Sequence, residues 1–362
     1  MMTLDFALST HLRHLPGSPG ILFTRWLPNG KSDAINVKVD PPLRDLKVWL
    51  ERRGYVDEDG VILCDICRKE VDPSIMAKQE RLIAGAMWGS FQVDGVTADE
   101  LASLKGNVHG DPHYVGFSKK VIKPLFGSLS SFIQILRIQY GQYWLVDHGP
   151  WNSIEIPLGN ACSMLELKWR TDASEAWSPF RPENQRIEWS GTSYRDFSFY
   201  IEQNDWEQIA RLAAEGYEAS LASQLLVYTH RLLEEGLLPH AVIQGVTALE
   251  VGLDEFVRSK GKKRSVKAFA EMTKKYDDQN LRLRTTLIAG MVDSIEEKDL
   301  DCVFDILEVR NSLIHDGKKV PKESEEKLRA LMRVVAYLIQ GAVLKFPIRD
   351  PGGPWSLRED RE

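Results

Sequence analysis

Cysteine is scarce. Four in 362 residues cannot make a disulfide framework for a chain of this size, and a reducing, cytoplasmic setting is expected. The opening M-M-T-L-D-F-A-L-S-T has no basic region ahead of a long apolar run, so no signal peptide is expected. The longest apolar stretch, around 334–344, is interrupted by Gln340 and is too short to cross a bilayer, so no membrane partner is expected. Basic residues are not in excess either. The formal charge is −6, with 22 basic against 25 acidic residues in 1–204 and 24 against 27 in 205–362. A nucleic acid would therefore have to meet a local patch rather than a basic chain. There is no P-loop, G-x-S-x-G, H-E-x-x-H or dinucleotide fingerprint, which argues against common NTPase, hydrolase and dehydrogenase chemistry. No repeat or low-complexity tract stands out.

What is present divides in two. Nine of the ten tryptophans lie at or before Trp206. The first part carries short period-two runs: Leu165, Leu167 and Trp169 on one face, and Phe197, Phe199 and Ile201 on another. I-L-F-T-R-W at 21–26 reads as a strand, followed by a P-N-G-K turn. Helices are interspersed. Thr97 and Glu100 form a capping-box pattern, and Leu129, Phe132, Ile133 and Leu136 make a stripe ending near Gly141.

After Asn204 the pattern is helical throughout. One segment carries Leu225, Leu226, Leu232 and Leu233 and stops near Gly236. Pro239 starts the next, with Val242, Val246, Leu249, Leu253 and Phe256 in near-heptad steps. Pro321 is expected to open the last helix, whose apolar face is Leu328, Leu331, Val335 and Leu338. The fold class is α+β: a mixed, tryptophan-rich domain over 1–204, a helical bundle over 205–346, and a mobile tail over 347–362.

The segment E-V-R-N-S-L-I-H-D-G at 308–317 departs from simple core logic. Leu300, Val303, Phe304, Leu307 and Ile314 mark one helical face, with Ser294 and Glu297 as a capping box and Gly317 as a left-handed stop. At roughly 100° per residue, Arg310 and His315 fall on the two edges of that face and Asn311 falls inside it. Buried polar groups need partners. A second chain, an upstream side chain or a ligand would supply them.

Arg310, Asn311 and His315, with the upstream V-T-A-L-E ending at Glu250, resemble the HEPN family. Its signature is an arginine and a histidine separated by a short run, often with asparagine directly after the arginine. The resemblance covers about residues 216–346. It implies a metal-independent endoribonuclease needing no cofactor, in which two chains place these residues across a shared groove. His315 would transfer protons, as an imidazole with its ordinary pKa of about 6.5 is suited to do. Arg310 would hold phosphate oxygens in its planar fork. Asn311 would orient the histidine or donate to phosphate, and Glu250 would fix the Arg310 rotamer. A toxin or antiphage role, with an antitoxin or regulatory partner and the first domain as sensor or brake, is what the resemblance suggests. The alternative is a non-catalytic bundle that binds RNA, a protein or a second copy.

Three other features carry two readings each. The run Arg258–Lys267 holds Arg258, Lys260, Lys262, Lys263, Arg264 and Lys267 and no acid; it would meet RNA phosphates or be a solvated interhelical loop. Cys64, Cys67, His109 and His113 could make a zinc site. A strand through Cys64 and Cys67 would instead aim the thiols at opposite faces, and no metal is expected. The aromatics of the first domain, with Y-G-Q-Y-W at 140–144, line a ligand cleft or fill a β-rich core.

Overall fold

The computed structural model describes residues 1–12, 20–56, 62–64, 78–107, 110–142, 144–145, 165–181, 200–262, 280–290, 292 and 295–342. The chain is of mixed α+β type: one antiparallel eight-stranded sheet and eight helices among the described residues. They form two compact units, residues 1–136, 144–181 and 200–218 in the first and 137–142 and 219–342 in the second.

The sheet of the first unit is built around two long strands, β4 (Leu43–Val56) and β6 (Arg81–Val96). Its order is β3-β4-β6-β1-β7-β8, with β2 (Ile21–Thr24) also on β6 and β5 (Ile62–Cys64) also on β4. The remaining strands are β1 (Met2–His11), β3 (Ile35–Asn36), β7 (Leu165–Arg170) and β8 (Ser178–Phe180). Alternation along β1 sorts the two faces. Leu4, Phe6 and Leu8 are buried. Phe6 stacks on its cross-strand partner Phe91 at 5.0 Å and meets Phe117 and Phe180 at 6.2 and 5.6 Å. Asp5, Ala7 and Ser9 point the other way. Gly89 is forced by packing: a Cβ there would lie 2.7 Å from the Lys47 carbonyl oxygen and 3.0 Å from Leu8 Cγ.

The Thr97–Glu100 capping box forms at the start of α1 (Ala98–Gly106). Glu100 N–H donates to Thr97 Oγ1 at 3.2 Å, and Thr97 N–H to Glu100 Oε2 at 2.8 Å. The helix α2 (Pro112–Tyr140) is far longer than its sequence stripe. It is long and apolar enough to span a membrane, yet 67% of its apolar window is buried within the protein. Phe117, Val121, Leu125 and Phe126 are buried as completely as Leu129, Phe132, Ile133 and Leu136. Helix α3 (Gln203–Glu215) belongs to the first unit, although the composition shift sets a boundary at 204. Trp206 explains its place: its ring packs on Phe23 and Trp26 at 5.8 and 6.1 Å, and its Nε1–H donates to Asp33 O at 3.0 Å.

The second unit contains α4 (Leu221–Glu234), α5 (Leu238–Lys262), α6 (Leu281–Ala289), α7 (Glu297–Asp316) and α8 (Ser324–Ala342). The stripes Val242, Val246, Leu249, Leu253, Phe256 and Leu328, Leu331, Val335, Leu338 are all buried. Helices α5 and α8 approach closely at Gly245, where a Cβ would sit 2.7 Å from Leu328 Cδ1. Two terminal expectations are corrected. Helix α7 begins at Glu297, with Glu296 at the N-cap position and no side-chain cap hydrogen bond, and Ser294 lies outside the described residues. Pro321 precedes α8 in a turn, with Ser324 N–H donating to Pro321 O at 3.1 Å, instead of opening the helix.

Candidate functional site

Helix α7 is anchored at its N-terminal half and free of the core at its C-terminal half. Val303 and Ile306 are fully buried. Asp299 accepts from Arg333 Nη2 at 2.8 Å, and Asp305 accepts from Lys327 Nζ at 2.7 Å, fixing the helix to α8. No residue of α7 beyond Ile306 is buried. Leu307, Val309 and Leu313 are half-buried, while Ile314 keeps 46% of its surface exposed. Asn311 is therefore not inside a buried stripe, as the wheel suggests. The core it would face ends one turn earlier, and Asn311 and His315 are both exposed.

A cleft of about 420 Å³ opens where α7 meets α5 and the start of α6. Three of the four residues expected at the site border it: Glu250 from α5, and Arg310 and Asn311 from α7. His315 does not. Five helical positions separate it from Arg310, which rotates it roughly 140° away around the helix. It stands in the last turn, followed by Gly317 at φ +63, whose N–H closes onto Ser312 O.

The cleft's electrostatics include residues that no spacing pattern signals. Arg282, at the start of α6, lies over the Phe304 ring at 4.4 Å and donates to Glu308 Oε1 at 3.4 Å. Arg310 Nη1 donates to Asn311 Oδ1 at 3.2 Å and, among the described residues, makes no other hydrogen bond or ion pair. Glu250 is exposed and does not pair with Arg310. Its charge instead reaches Arg284, a buried guanidinium ion-paired to Asp254. Burial pulls Arg284 below its ordinary pKa, and the Glu250 carboxylate pushes it back up. An anion entering the cleft would thus find two arginines, one committed to Glu308 and one held only by a neutral amide.

Arg258 is exposed on the last turns of α5, which continues through Lys260 to Lys262. The first half of the basic run is therefore helix rather than loop, where cations favour the helix C-terminus. Lys263, Arg264 and Lys267 lie outside the described residues. So do Cys67 and His109. Cys64 ends β5, and His113 is exposed near the start of α2. Tyr140 and Trp144 are core residues, Trp144 donating to Gly20 O at 2.8 Å. No protein-family model, no curated protein and no solved structure matches this chain.

Proposed function

We propose that the second unit is an endoribonuclease of the HEPN type, metal-independent and active as a homodimer. The observation that carries this reading is the gathering of Glu250, Arg310 and Asn311 around one open cleft, with Arg310 committed only to an amide. A guanidinium so held can exchange that neutral partner for two phosphate oxygens in a charge-assisted fork. His315 is exposed and free to take the 2′-hydroxyl proton or to protonate the leaving 5′-oxygen. Because it lies off the cleft of its own chain, the histidine acts where two copies meet. The second half of α7, where Leu307, Val309 and Leu313 are half-buried and Ile314 is exposed, supports such a contact. In this arrangement the helical unit is HEPN-like, the mixed N-terminal unit selects or restrains the RNA, and the chain serves as a toxin or antiphage effector.

The displacement of His315 from the cleft favours a second reading, in which the bundle binds RNA or a partner without cutting. One experiment separates them. The purified protein is incubated with total RNA and a chelator beside Arg310→Ala and His315→Ala. Both side chains are at least partly exposed, so both variants keep the helical signal of the parent. Cleavage by the parent alone supports the nuclease. Equal cleavage by all three, or by none, removes the catalytic assignment.

A further inference from the structure

Among the described residues, the face of the sheet opposite the Phe6–Phe91 core is uncovered, and it carries a groove of about 980 Å³. Strand pairing sets its layout. One row across the sheet reads Lys47, Ser90, Ala7, Lys168 on β4, β6, β1 and β7. Two small residues thus form a floor between two lysines. Three strand spacings set their Cα positions roughly 14 Å apart. The row on one side places Trp49 opposite Trp88, and the row on the other holds Gln92, Asp5 and Arg170. Adjacent same-face rows lie roughly 7 Å apart along the strands, so the trough fits an extended chain running across them.

Some of the polar groups around the groove are engaged by neighbours, and others, the two lysines among them, are not. Asp5 accepts from Gln92 Nε2 at 2.9 Å and pairs with Arg170 Nε at 3.5 Å. Glu166 accepts from Ser9 Oγ at 3.5 Å. Arg170 lies over the Trp177 ring at 4.3 Å, and Lys31 over Trp49 at 5.0 Å. Lys47 and Lys168 are exposed and have no ion pair or hydrogen bond among the described residues. Trp88 Nε1 is buried without a hydrogen-bond partner, and an orphaned buried donor is costly unless something accepts from it. Asp45, on the β4 bulge, is the one lining acid with no partner among the described residues.

We propose that this groove binds a single-stranded RNA segment, with phosphates at Lys47 and Lys168 and a base on the Trp177 face. Two free lysines in a chain of charge −6 select a polyanion. The aromatic groups beside them select one with exposed planar bases, the combination by which single strands are held. A duplex hides its bases and an acidic peptide has none. The choice of RNA rests on the proposed nuclease function.

Binding of a labelled single-stranded RNA oligonucleotide is measured on the full chain carrying His315→Ala, so that cleavage does not intervene. Lys47→Glu with Lys168→Glu should weaken binding about tenfold or more and make the salt dependence shallower by about 1.4, the share of two phosphate contacts on a single strand. Lys47→Gln with Lys168→Gln should follow in the same direction and guards against a folding effect of charge reversal. Trp177→Ala should lose about fivefold or more and abolish part of the fluorescence quench on binding. Unchanged affinity and slope in the lysine variants overturn the proposal, as does equal binding of duplex RNA or of an acidic peptide. The same lysine substitutions in the chain retaining His315 test cleavage separately, so a failed groove and a failed nuclease give different results.

Discussion

Asp299→Ala tests how the site-bearing helix is held. Asp299 lies in the first turn of α7, its side chain is 6% exposed, and its carboxylate accepts from Arg333 at 2.8 Å. A hydrogen bond between charged groups at such a site is worth about 1.5–3 kcal/mol. A carboxylate in the first turn adds about 0.3–1 kcal/mol against the helix dipole, and the better helix propensity of alanine returns roughly 0.5 kcal/mol. Arg333 is 26% exposed and keeps a further interaction, so it is not stranded. The net loss should be about 2–3 kcal/mol. At a urea dependence of about 2 kcal/mol per molar, the helical transition should move down by about 1–1.5 M. Far-UV circular dichroism reports it. Tryptophan fluorescence reports mainly the first unit, which carries every tryptophan among the described residues. Asp299→Asn, which still offers an oxygen to Arg333, should lose about half as much. A change below about 0.5 kcal/mol in Asp299→Ala would refute the claim that this bond anchors α7.

Ile314→Asp should convert a dimer to monomers by light scattering while changing urea stability by less than about 0.5 kcal/mol, since the side chain is 46% exposed in the single chain; a monomeric parent, or a dimer indifferent to the change, removes this face as the contact. The turn between β7 and β8 should loosen in acid. Hydrogen bonds from Thr171 hold Glu175 below its ordinary carboxylate pKa, and those from Ser174 do the same for Asp172. Both shifts are downward, so their stabilisation is present above the ordinary carboxylate pKa and fades as pH falls through the lowered values. Trp177 emission, sensitive to Arg170 across the ring, should change over that acid range in the parent. Thr171→Val should move the change to higher pH, and an unmoved transition would count against it.

Part of this fold is legible because local patterns and tertiary contacts agree. Leu165, Leu167 and Trp169 alternate in sequence and are buried on one face of β7. The Thr97 box and the Gly317 stop are formed by neighbours in the chain, so they survive any tertiary context. The long central strand β6 escapes the alternation test because its first half is buried on both faces. A run such as L-I-A-G-A-M then has no period to read. Helix α2 is recognised only in its second half, since Gly116 and Pro124 interrupt its first. There, tertiary burial overrides weak local propensity.

The two sites differ in legibility for a geometric reason. Arg310 and His315 lie on one helix, so a fixed spacing in the sequence brings them to notice. That same spacing turns His315 away from the cleft that Arg310 borders, and a one-dimensional motif does not encode the rotation. The cleft is completed by Arg282, Phe304 and Glu308, whose arrangement depends on where α6 packs against α7. The sheet groove is further from view. Lys47, Ser90, Ala7 and Lys168 are scattered over 162 positions and become neighbours only through three antiparallel registers. A slip of one residue in any of those pairings would turn that strand's floor residue toward the phenylalanine core. The groove therefore depends on register as strictly as the core does. An aromatic change at Phe6 or Phe91 that shifts the β1–β6 pairing should disable Lys47 and Lys168 without touching either.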